Sequence, residues 1–425
     1  AATDIVMVPL NPALTPAELE WQLGHADARL LLFGADLAAT AAALPGDRIR
    51  RELTLADLPA APLTPRADPD APMVQMYTSG TTGTPKGALL TEAHLIALVD
   101  AWLREMPLGP GDRTLQVTPL FHVGALMMVL CNVVAGATLV LPPGFAPRAA
   151  LRLLADAGVT HTLMVPAMAR WMLMEPEAAT ATFPTLRAFV YGAAPMPAAL
   201  LRRAREAFRC DLLQGYGLTE TAGVLTVLRP ADHARPELAA AAGRPLVCCE
   251  VAVVDAAGAP LPAGEVGEVV ARGANVSGRY AGLPDDTALR DGWFHTGDAG
   301  YLDAEGYLFL VDRLKDMILV GGENVYSREV EAALEAHPDV AEVAVIGTPH
   351  EVFGEAVTAL VVPRPGVDAD ALPRALIRHC RARLARFKCP TVVEICASLP
   401  RNAAGKLRKA ELRAARWAHL DRRIG

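Results

Sequence analysis

The stretch 77-YTSGTTGTPKG-87 determines how the rest of this chain is interpreted. It contains three glycines and four threonines but almost no apolar side chain, so it is poorly suited to packing in a core. Glycine permits close backbone approach, and the N–H groups, hydroxyls and lysine of such a loop can surround a polyphosphate. We therefore expect this loop to hold the phosphates of a nucleotide. The alternative is a flexible Ser/Thr/Gly linker, which the apolar residues on both sides of the loop disfavour.

The loop does not have the spacing of a Walker A motif, which requires G-x-x-x-x-G-K-[ST]. Counted from Gly80, the second glycine position is occupied by Pro85. Lys86 is followed by Gly87, where Ser or Thr would be required. The loop therefore indicates a phosphate chemistry other than that of the P-loop enzymes.

Length, charge and cysteine spacing narrow the classes of protein to consider. A chain of 425 residues is long enough for two or three domains. The net charge of −7 argues against nucleic acid as a partner, because binding to a phosphate backbone needs a basic surface. The seven cysteines lack C-x-x-C spacing, which argues against a zinc site and against a disulfide framework.

No uninterrupted run reaches the roughly 18 apolar residues that a transmembrane helix needs, and no signal peptide opens the chain. We therefore expect a cytoplasmic protein without an integral membrane segment. From Arg374 onward the chain is rich in arginine and lysine. This segment either meets an anionic ligand or forms a solvated basic surface, and both interpretations stay open.

Hydrophobic periodicity predicts an α/β fold with a largely parallel sheet. Thr15, Pro16 and Glu18 predict a helix start with a capping box, between strands predicted at 5–9 and 29–33. Further strands are predicted at 73–77, 113–117, 137–141, 161–165 and 189–191, and helices at 92–106, 124–134, 147–157 and 197–208. Parallel sheets bind ligands at the carboxyl ends of their strands, where this pattern places Tyr77, Pro119, Tyr191 and Gln214.

The pattern changes twice in the second half of the chain. Short strands with turns predict a β-rich, antiparallel subdomain at about 243–312. A small α+β unit follows, with strands predicted at 317–320, 343–346, 356–362 and 391–396 and helices at 327–336 and 371–386. We therefore predict a large domain at 1–313 and a small domain at 314–425, with the boundary at Arg313 to Lys315.

Four further stretches are hard to explain by packing, namely 214-QGYGLTET-221, 293-WFHTGDAG-300, 312-DRLKD-316 and 399-LPRNAAGK-406. In the first, Tyr216 can stack on a base, Thr219 can bond a phosphate and Glu220 can bind Mg²⁺. In the second, Asp298 can accept hydrogen bonds from two ribose hydroxyls. Taken singly, each stretch is a weak signal, because Gly-Asp turns and short charged runs are common.

In this order and spacing, the five stretches resemble the adenylate-forming superfamily, which includes acyl- and aryl-CoA synthetases, firefly luciferase and the adenylation domains of peptide synthetases. The resemblance covers essentially the whole chain. It implies a large N-terminal domain and a mobile small C-terminal domain that rotates between two half-reactions. Family members usually carry several dozen more residues before the first strand, so we expect the N-terminal part of the large domain to be truncated in this sequence.

The resemblance implies an enzyme that joins a carboxylic acid to a thiol, with ATP and Mg²⁺ as cofactors and coenzyme A as co-substrate. A carboxylate attacks the α-phosphorus of ATP, and a thiol then attacks the acyl-adenylate. Two alternatives remain open, namely an enzyme that loads a separate carrier protein and a nucleotide-binding homologue without catalysis. A homodimer is one expectation for the oligomeric state.

The family's functional positions transfer to this sequence residue by residue. The implied phosphate contacts are Thr78, Ser79, Gly80, Thr81, Thr82, Gly83 and Lys86. Tyr216 matches the adenine-stacking residue, and Asp298 and Arg313 match the ribose contacts. Glu220 matches the Mg²⁺ ligand and Thr219 the α-phosphate contact.

The resemblance also implies roles in the chemical steps and in the domain movement. Lys406 matches the catalytic lysine that bridges the carboxylate and the α-phosphate, and Lys315 matches the hinge. Gly321 and Gly322 match positions near the pantetheine arm, and a turn between a strand and a helix is the alternative. His122 matches the gate of the acyl pocket, and a hydrogen-bonded core histidine is the alternative.

The implied acyl pocket contains mostly small and apolar positions, namely Val123, Val190, Tyr191, Gly192, Ala193, Ala194, Gln214, Gly215, Gly217, Leu218, Ala222 and Gly223. None of them carries a charge, so a fatty or aryl carboxylate fits better than a dicarboxylate or an amino acid. No aspartate that could hold a substrate ammonium stands at Phe121 and His122, which argues against a peptide-synthetase adenylation domain.

Overall fold

The computed structural model describes residues 5–45, 49–52, 68–78, 85–194, 196–284, 287–321, 323–401 and 407–417. The chain divides into two compact units. The large unit comprises Ala1–Ala252, Val270–Thr296 and Ala304–Leu308, and the small unit comprises Val253–Val269, Gly297–Asp303 and Phe309–Gly425. The predicted domain boundary at Arg313 to Lys315 stays a prediction.

The α-helices of the described residues are α1 (Pro16–His25), α2 (Ala38–Ala43), α3 (Glu92–Glu105), α4 (Val123–Ala135), α5 (Pro147–Asp156), α6 (Pro166–Met174), α7 (Ala198–Phe208), α8 (Ser327–Glu335), α9 (Leu372–Arg381) and α10 (Lys409–Trp417). No helix in these ranges is both long enough and apolar enough to cross a lipid bilayer.

The strands in the first half of the chain are β1 (Leu30–Phe33), β2 (Ile49–Glu52), β3 (Pro72–Thr78), β4 (Lys86–Thr91), β5 (Arg113–Gln116), β6 (Thr138–Val140), β7 (His161–Met164), β8 (Ala188–Gly192) and β9 (Asp211–Tyr216). Those in the second half are β10 (Thr226–Leu228), β11 (Ala241–Pro245), β12 (Cys249–Val254), β13 (Gly267–Gly273), β14 (Leu289–Arg290), β15 (Trp293–Leu302), β16 (Leu308–Arg313), β17 (Ile318–Val320), β18 (Glu323–Val325), β19 (Val340–His350), β20 (Gly354–Pro363) and β21 (Val392–Ile395).

The core of the large unit is a parallel sheet in the order β9-β8-β7-β5-β6, which antiparallel β10 and β11 extend. Side chains alternate between the two faces of its strands. Val190 and Leu213 pack in a first core cluster with residues of α3 and α4, whereas Phe189 and Leu212 pack in a second cluster with residues of α5, α6 and α7. The predicted α/β class is confirmed.

The small unit has its own sheet, in the order β18-β17-β20-β19, with β21 parallel to β20. The long pair β19–β20 is antiparallel and runs from Val340 to His350. Side chains of α8 and α9, such as Val330 and Leu376, pack with those strands in an apolar cluster. Leu412 of α10 packs against a separate cluster that contains Leu360 and Ile346.

Local signals predicted several elements well. The capping box at Thr15 and Glu18 is present, with the Glu18 carboxylate accepting from the Thr15 N–H at 2.8 Å. Thr91 caps α3, directly before the helix predicted from residue 92. These elements depend on residues within one helical turn, so the sequence alone is enough to predict them.

Predictions were wrong for elements whose formation depends on a distant strand partner or on a backbone turn. The strand predicted at 5–9 is only an isolated bridge from Met7 to Val74, and Ile5 is 65% exposed, because the segment has no buried face. Helix α6 was missed, since Pro166 was interpreted as a strand end although it occupies the first turn of a helix. Strand β15 was missed because Gly297, with φ of +69°, interrupts its pattern.

Candidate functional site

A β-hairpin carries the predicted phosphate loop. Strands β3 and β4 pair antiparallel, and the last pair in their register joins Thr78 to Lys86. The prediction that Tyr77 ends a parallel strand was therefore wrong, because the partner of its strand is the next strand along the chain. The hairpin holds the two ends of the loop in fixed register. The loop residues Ser79, Gly80, Thr81, Thr82 and Gly83 lie outside the described residues.

A buried carboxylate faces the base of this hairpin. Glu220 is 7% exposed and lies in the 3₁₀ turn Thr219–Thr221. Its Oε1 accepts a hydrogen bond from the Tyr280 hydroxyl at 2.8 Å, and Thr78 Oγ1 lies 3.5 Å from the same oxygen. Lys86 Nζ lies 5.1 Å from the centre of the Tyr280 ring. The structure thus brings Thr78, Lys86 and Glu220 together around one tyrosine.

Sequence reasoning missed Tyr280, because a single tyrosine in 278-GRYAG-282 carries no motif signal. The backbone around it ties the hairpin to the Glu220 turn. The Ser277 N–H donates to the Glu220 carbonyl at 2.8 Å, and the Ala281 N–H donates to the Gly87 carbonyl at 2.8 Å. Burial and the neighbouring Glu220 raise the pKa of the Tyr280 hydroxyl, so this group stays protonated and donates to the carboxylate.

Two further predicted nucleotide contacts lie beside this cluster. Tyr216 ends β9, where it pairs with Thr226 of β10, and its side chain is half-buried. Thr219 begins the turn that contains Glu220 and is also half-buried. The contacts of Tyr216 with adenine and of Thr219 with the α-phosphate remain predictions.

The two predicted ribose contacts meet in the small unit. Arg313 Nε lies 2.6 Å from Asp298 Oδ1, across the neighbouring strands β15 and β16. The Asp298 side chain is 8% exposed, whereas that of Arg313 is 32% exposed. The ion pair fixes the orientation of the Asp298 carboxylate. The sequence motif could indicate this carboxylate but not its orientation.

Backbone segments approach each other closely at the predicted acyl pocket. A Cβ on Gly192 would lie 2.4 Å from the Gly215 carbonyl oxygen, and one on Gly217 would lie 2.6 Å from that of Gly223. No real side chain fits at such distances, so backbone atoms form this part of the wall. Ala193 and Ala194 are exposed, while Val123 and Gln214 are half-buried.

Tyr191 projects away from Val190 and Leu213. Its ring packs in the second core cluster, and its hydroxyl lies 3.0 Å from His233 Nε2. His233 Nδ1 lies 2.7 Å from the Arg229 carbonyl oxygen and must donate its proton to it, so Nε2 accepts from Tyr191. Burial lowers the pKa of His233, which keeps this ring neutral. The place of Tyr191 in the substrate pocket remains a prediction.

His122 precedes α4 and makes no side-chain capping bond. Its ring packs on Phe121 with centroids 4.5 Å apart. Among the described residues its buried Nε2 has no hydrogen-bond partner, so this atom does not fit a hydrogen-bonded core histidine. Burial lowers the pKa of His122 and favours the neutral ring.

The predicted hinge and pantetheine positions lie in the small unit. Lys315 is exposed in the 3₁₀ turn Leu314–Asp316, and its carbonyl accepts a hydrogen bond from Arg413 Nη1 at 2.6 Å. Gly321, with φ of +60°, begins the tight turn that pairs Val320 with Glu323. The turn therefore joins two strands, and the expected turn between a strand and a helix was wrong. Gly322 and Lys406 are not among the residues described.

Comparison with known proteins agrees with this geometry. The sequence profile of AMP-binding enzymes matches residues 1–281, and that of the AMP-binding enzyme C-terminal domain matches residues 329–406. A fatty acid–[acyl-carrier-protein] ligase, ScoC of Streptomyces coeruleorubidus, is 41% identical over 100% of this chain and 84% of its own length. A feruloyl-CoA synthase of an Amycolatopsis species is 40% identical over 96% of this chain and 83% of its own.

A solved structure gives the same result at the level of the fold. ATP-bound MatB from Rhodopseudomonas palustris matches with a TM-score of 0.87 and 31% identity, over 96% of this chain and 83% of its own. The chain belongs to the AMP-binding enzyme family, within the adenylate-forming superfamily, as the motifs predicted. The predicted enzyme class, an AMP-forming acid–thiol ligase, is confirmed by the family and by these relatives.

Proposed function

We propose that this chain activates a fatty or aryl carboxylic acid with ATP and transfers the acyl group to the thiol of coenzyme A. In the first step a carboxylate oxygen attacks the α-phosphorus, and pyrophosphate leaves. In the second step the thiolate attacks the adenylate carbonyl, and AMP leaves with the electron pair of the broken C–O bond. The observation that carries this proposal is the buried Glu220 carboxylate beside the ends of the phosphate loop, Thr78 and Lys86.

The surroundings of Glu220 fit a magnesium ion. Among the described residues this buried carboxylate accepts from the hydroxyls of Tyr280 and Thr78 and has no ion-pair partner. Mg²⁺ is commonly held by one or two carboxylates together with substrate phosphates and water. When bound, the ion would neutralise charge on the phosphates. Glu220 would hold it, and Tyr280 would fix the orientation of the carboxylate.

The other side chains divide the work between binding and reaction. Lys86 would contact the leaving pyrophosphate, which its place at the base of the phosphate loop supports. Asp298, oriented by Arg313, would bind the ribose hydroxyls, and Tyr216 would stack on the adenine. Lys406 would bridge the attacking carboxylate and the α-phosphate. Such a site works chiefly by positioning and by charge stabilisation.

Carboxylate-dependent ATP–pyrophosphate exchange tests the first half-reaction with Glu220→Gln. The amide keeps the shape and still accepts from Tyr280, but it no longer offers a charged ligand. We expect the exchange rate to fall by about 100-fold or more. An unchanged rate would remove Glu220 from the site, and no exchange of the wild type with any acid would favour the inactive homologue.

Asp232 offers a matched control in the same unit. It is also a buried carboxylate, 9% exposed, and it accepts from the Tyr307 hydroxyl at 2.8 Å. Asp232→Asn removes a comparable charge from a site without predicted nucleotide contacts. Its exchange rate per folded molecule should stay near that of the wild type.

A second candidate function is the loading of an acyl carrier protein, which the 41% identity to the carrier-protein ligase ScoC favours. The two functions share adenylate formation and differ only in the thiol acceptor. Thioester formation with free coenzyme A, compared with a purified phosphopantetheinyl carrier protein, separates them. Saturable turnover with coenzyme A supports the first proposal, and turnover with the carrier protein alone supports the second.

A further inference from the structure

A tryptophan fills the space next to Gly215. Helix α3 places Trp102 in the first core cluster with no exposed surface. A Cβ on Gly215 would lie 3.7 Å from the tip of the indole, Cη2, and 3.5 Å from Val224 Cγ2. These are ordinary van der Waals distances, so side chains already occupy the volume behind this part of the predicted wall.

Leu98 closes the neighbouring position in the same way. A Cβ on Gly223 would lie 3.7 Å from Leu98 Cδ2 and 3.5 Å from Val123 Cγ2. Leu98 and Trp102 are four residues apart on α3 and therefore lie on one face of the helix. This face and the start of α4 form a continuous apolar floor behind Gly215 and Gly223.

The indole itself differs from an ordinary core side chain. Its Nε1–H is buried and has no hydrogen-bond partner within the described ranges. Buried polar groups in protein cores are nearly always paired. The indole atom near Gly215 is Cη2, so the unpaired Nε1–H is a second feature that sets Trp102 apart from the apolar side chains packed around it.

We infer that Trp102 forms the floor of the acyl pocket and restricts the substrate to single-ring aryl acids and short acyl acids. The inference rests on the proposed function, because that reaction defines the pocket. A long alkyl chain that continued past Gly215 would have to pass through the indole, whereas a single ring or a short chain ends before this wall. The apolar floor also disfavours a second carboxylate at the far end of the substrate.

The substrate preference of wild type and Trp102→Ala tests this inference by ATP–pyrophosphate exchange. The probes are benzoate and phenylacetate as ring acids, and dodecanoate and hexadecanoate as long-chain acids. Wild type should use the ring acids and give little exchange with the long-chain acids. Trp102→Ala should shift the ratio of kcat/KM values toward dodecanoate by at least about tenfold, because removing the indole opens the floor.

Two further variants keep the test decisive if Trp102→Ala folds poorly. Val224→Ala removes fewer atoms from the same floor and should give a smaller shift in the same direction. Trp102→Phe keeps an aromatic ring at the position and should retain the exclusion of dodecanoate. Circular dichroism melting of every variant measures the folded fraction to which the rates are referred.

Phe208 is the matched control. It is 1% exposed and stacks on Phe189 in the second core cluster, on the opposite face of the sheet. Phe208→Ala should lower the melting temperature without changing the ratio between ring and long-chain acids. A shift equal to that of Trp102→Ala would assign the effect to general loosening and overturn the inference.

The outcomes separate this inference from the proposed function. If wild type exchanges with dodecanoate as well as with phenylacetate, the floor does not limit the chain length and the inference fails while the ligase function stands. If the wild type shows no ATP–pyrophosphate exchange with the four probe acids and none with any further acid, the proposed ligase function itself is rejected. A preference unchanged in both Trp102→Ala and Val224→Ala overturns the inference with the reaction intact.

Discussion

Replacing Lys409 by methionine should selectively destabilise the small unit. Lys409 Nζ lies 2.7 Å from Glu331 Oε1, and the two side chains are 11% and 2% exposed. The ammonium also donates to Ser327 Oγ at 2.6 Å, and that hydroxyl donates to Asp312 Oδ2 at 2.7 Å. The pair thus anchors the first turn of α10 to α8 inside the unit. Methionine keeps the length of the side chain but leaves the Glu331 carboxylate buried without its cation.

The expected cost follows from what remains around Glu331. Removing one partner of a buried ion pair typically costs about 3–5 kcal/mol. The Val345 N–H still donates to Glu331 Oε1 at 2.8 Å, and Arg328 Nη1 lies 3.7 Å from Oε2. These contacts partly compensate the charge, so we expect about 3 kcal/mol for Lys409→Met. Adding Glu331→Gln removes the charge but keeps an acceptor for Val345, so the double variant should lose only about 1–2 kcal/mol.

Native-state amide hydrogen exchange of peptides from β19 and α10 measures the opening free energy of this unit by itself. Arg408→Met is the matched control, because Arg408 neighbours Lys409 and pairs with Glu411 through side chains that are 58% and 53% exposed. Such a surface pair contributes about 1 kcal/mol or less. If Lys409→Met costs no more than Arg408→Met, or if the double variant is less stable than Lys409→Met, the assignment of a buried charge to Glu331 is wrong.

Two further predictions concern pH and the reaction. Burial lowers the pKa of His161 from 6.5 to about 4, so the folded state resists protonation while the unfolded state takes up the proton. The stability that the neutral His161 contributes is therefore complete above about pH 6.5 and is lost as the pH falls toward about 4. In that pH range the urea midpoint of His161→Gln should change less with pH than the midpoint of the wild type. Parallel plots of urea midpoint against pH for the two proteins would contradict this prediction. Lys406→Ala should abolish adenylate formation but leave thioester formation from preformed acyl-adenylate largely intact. Equal loss of both steps would contradict a reaction in which the small domain rotates between the two half-reactions.

The sequence alone determined the features that depend on neighbours in the chain. The capping box at Thr15 needs only residues within one turn, and it appears where the pattern predicted. The phosphate loop and the motifs around Glu220 and Asp298 were sufficient to predict the family, because their residue types have no packing explanation.

The tertiary structure decided which distant residues meet. Thr78 and Glu220 are 142 positions apart, and the Tyr280 hydroxyl that orients the carboxylate is a further 60 positions along the chain. Tyr191 and Val190 are adjacent in sequence but pack on opposite faces of the sheet. Whether Trp102 lies behind Gly215 depends on how α3 packs against β9, and periodicity contains no information about that. Local patterns fix each element, whereas strand order and helix packing fix the contacts between elements.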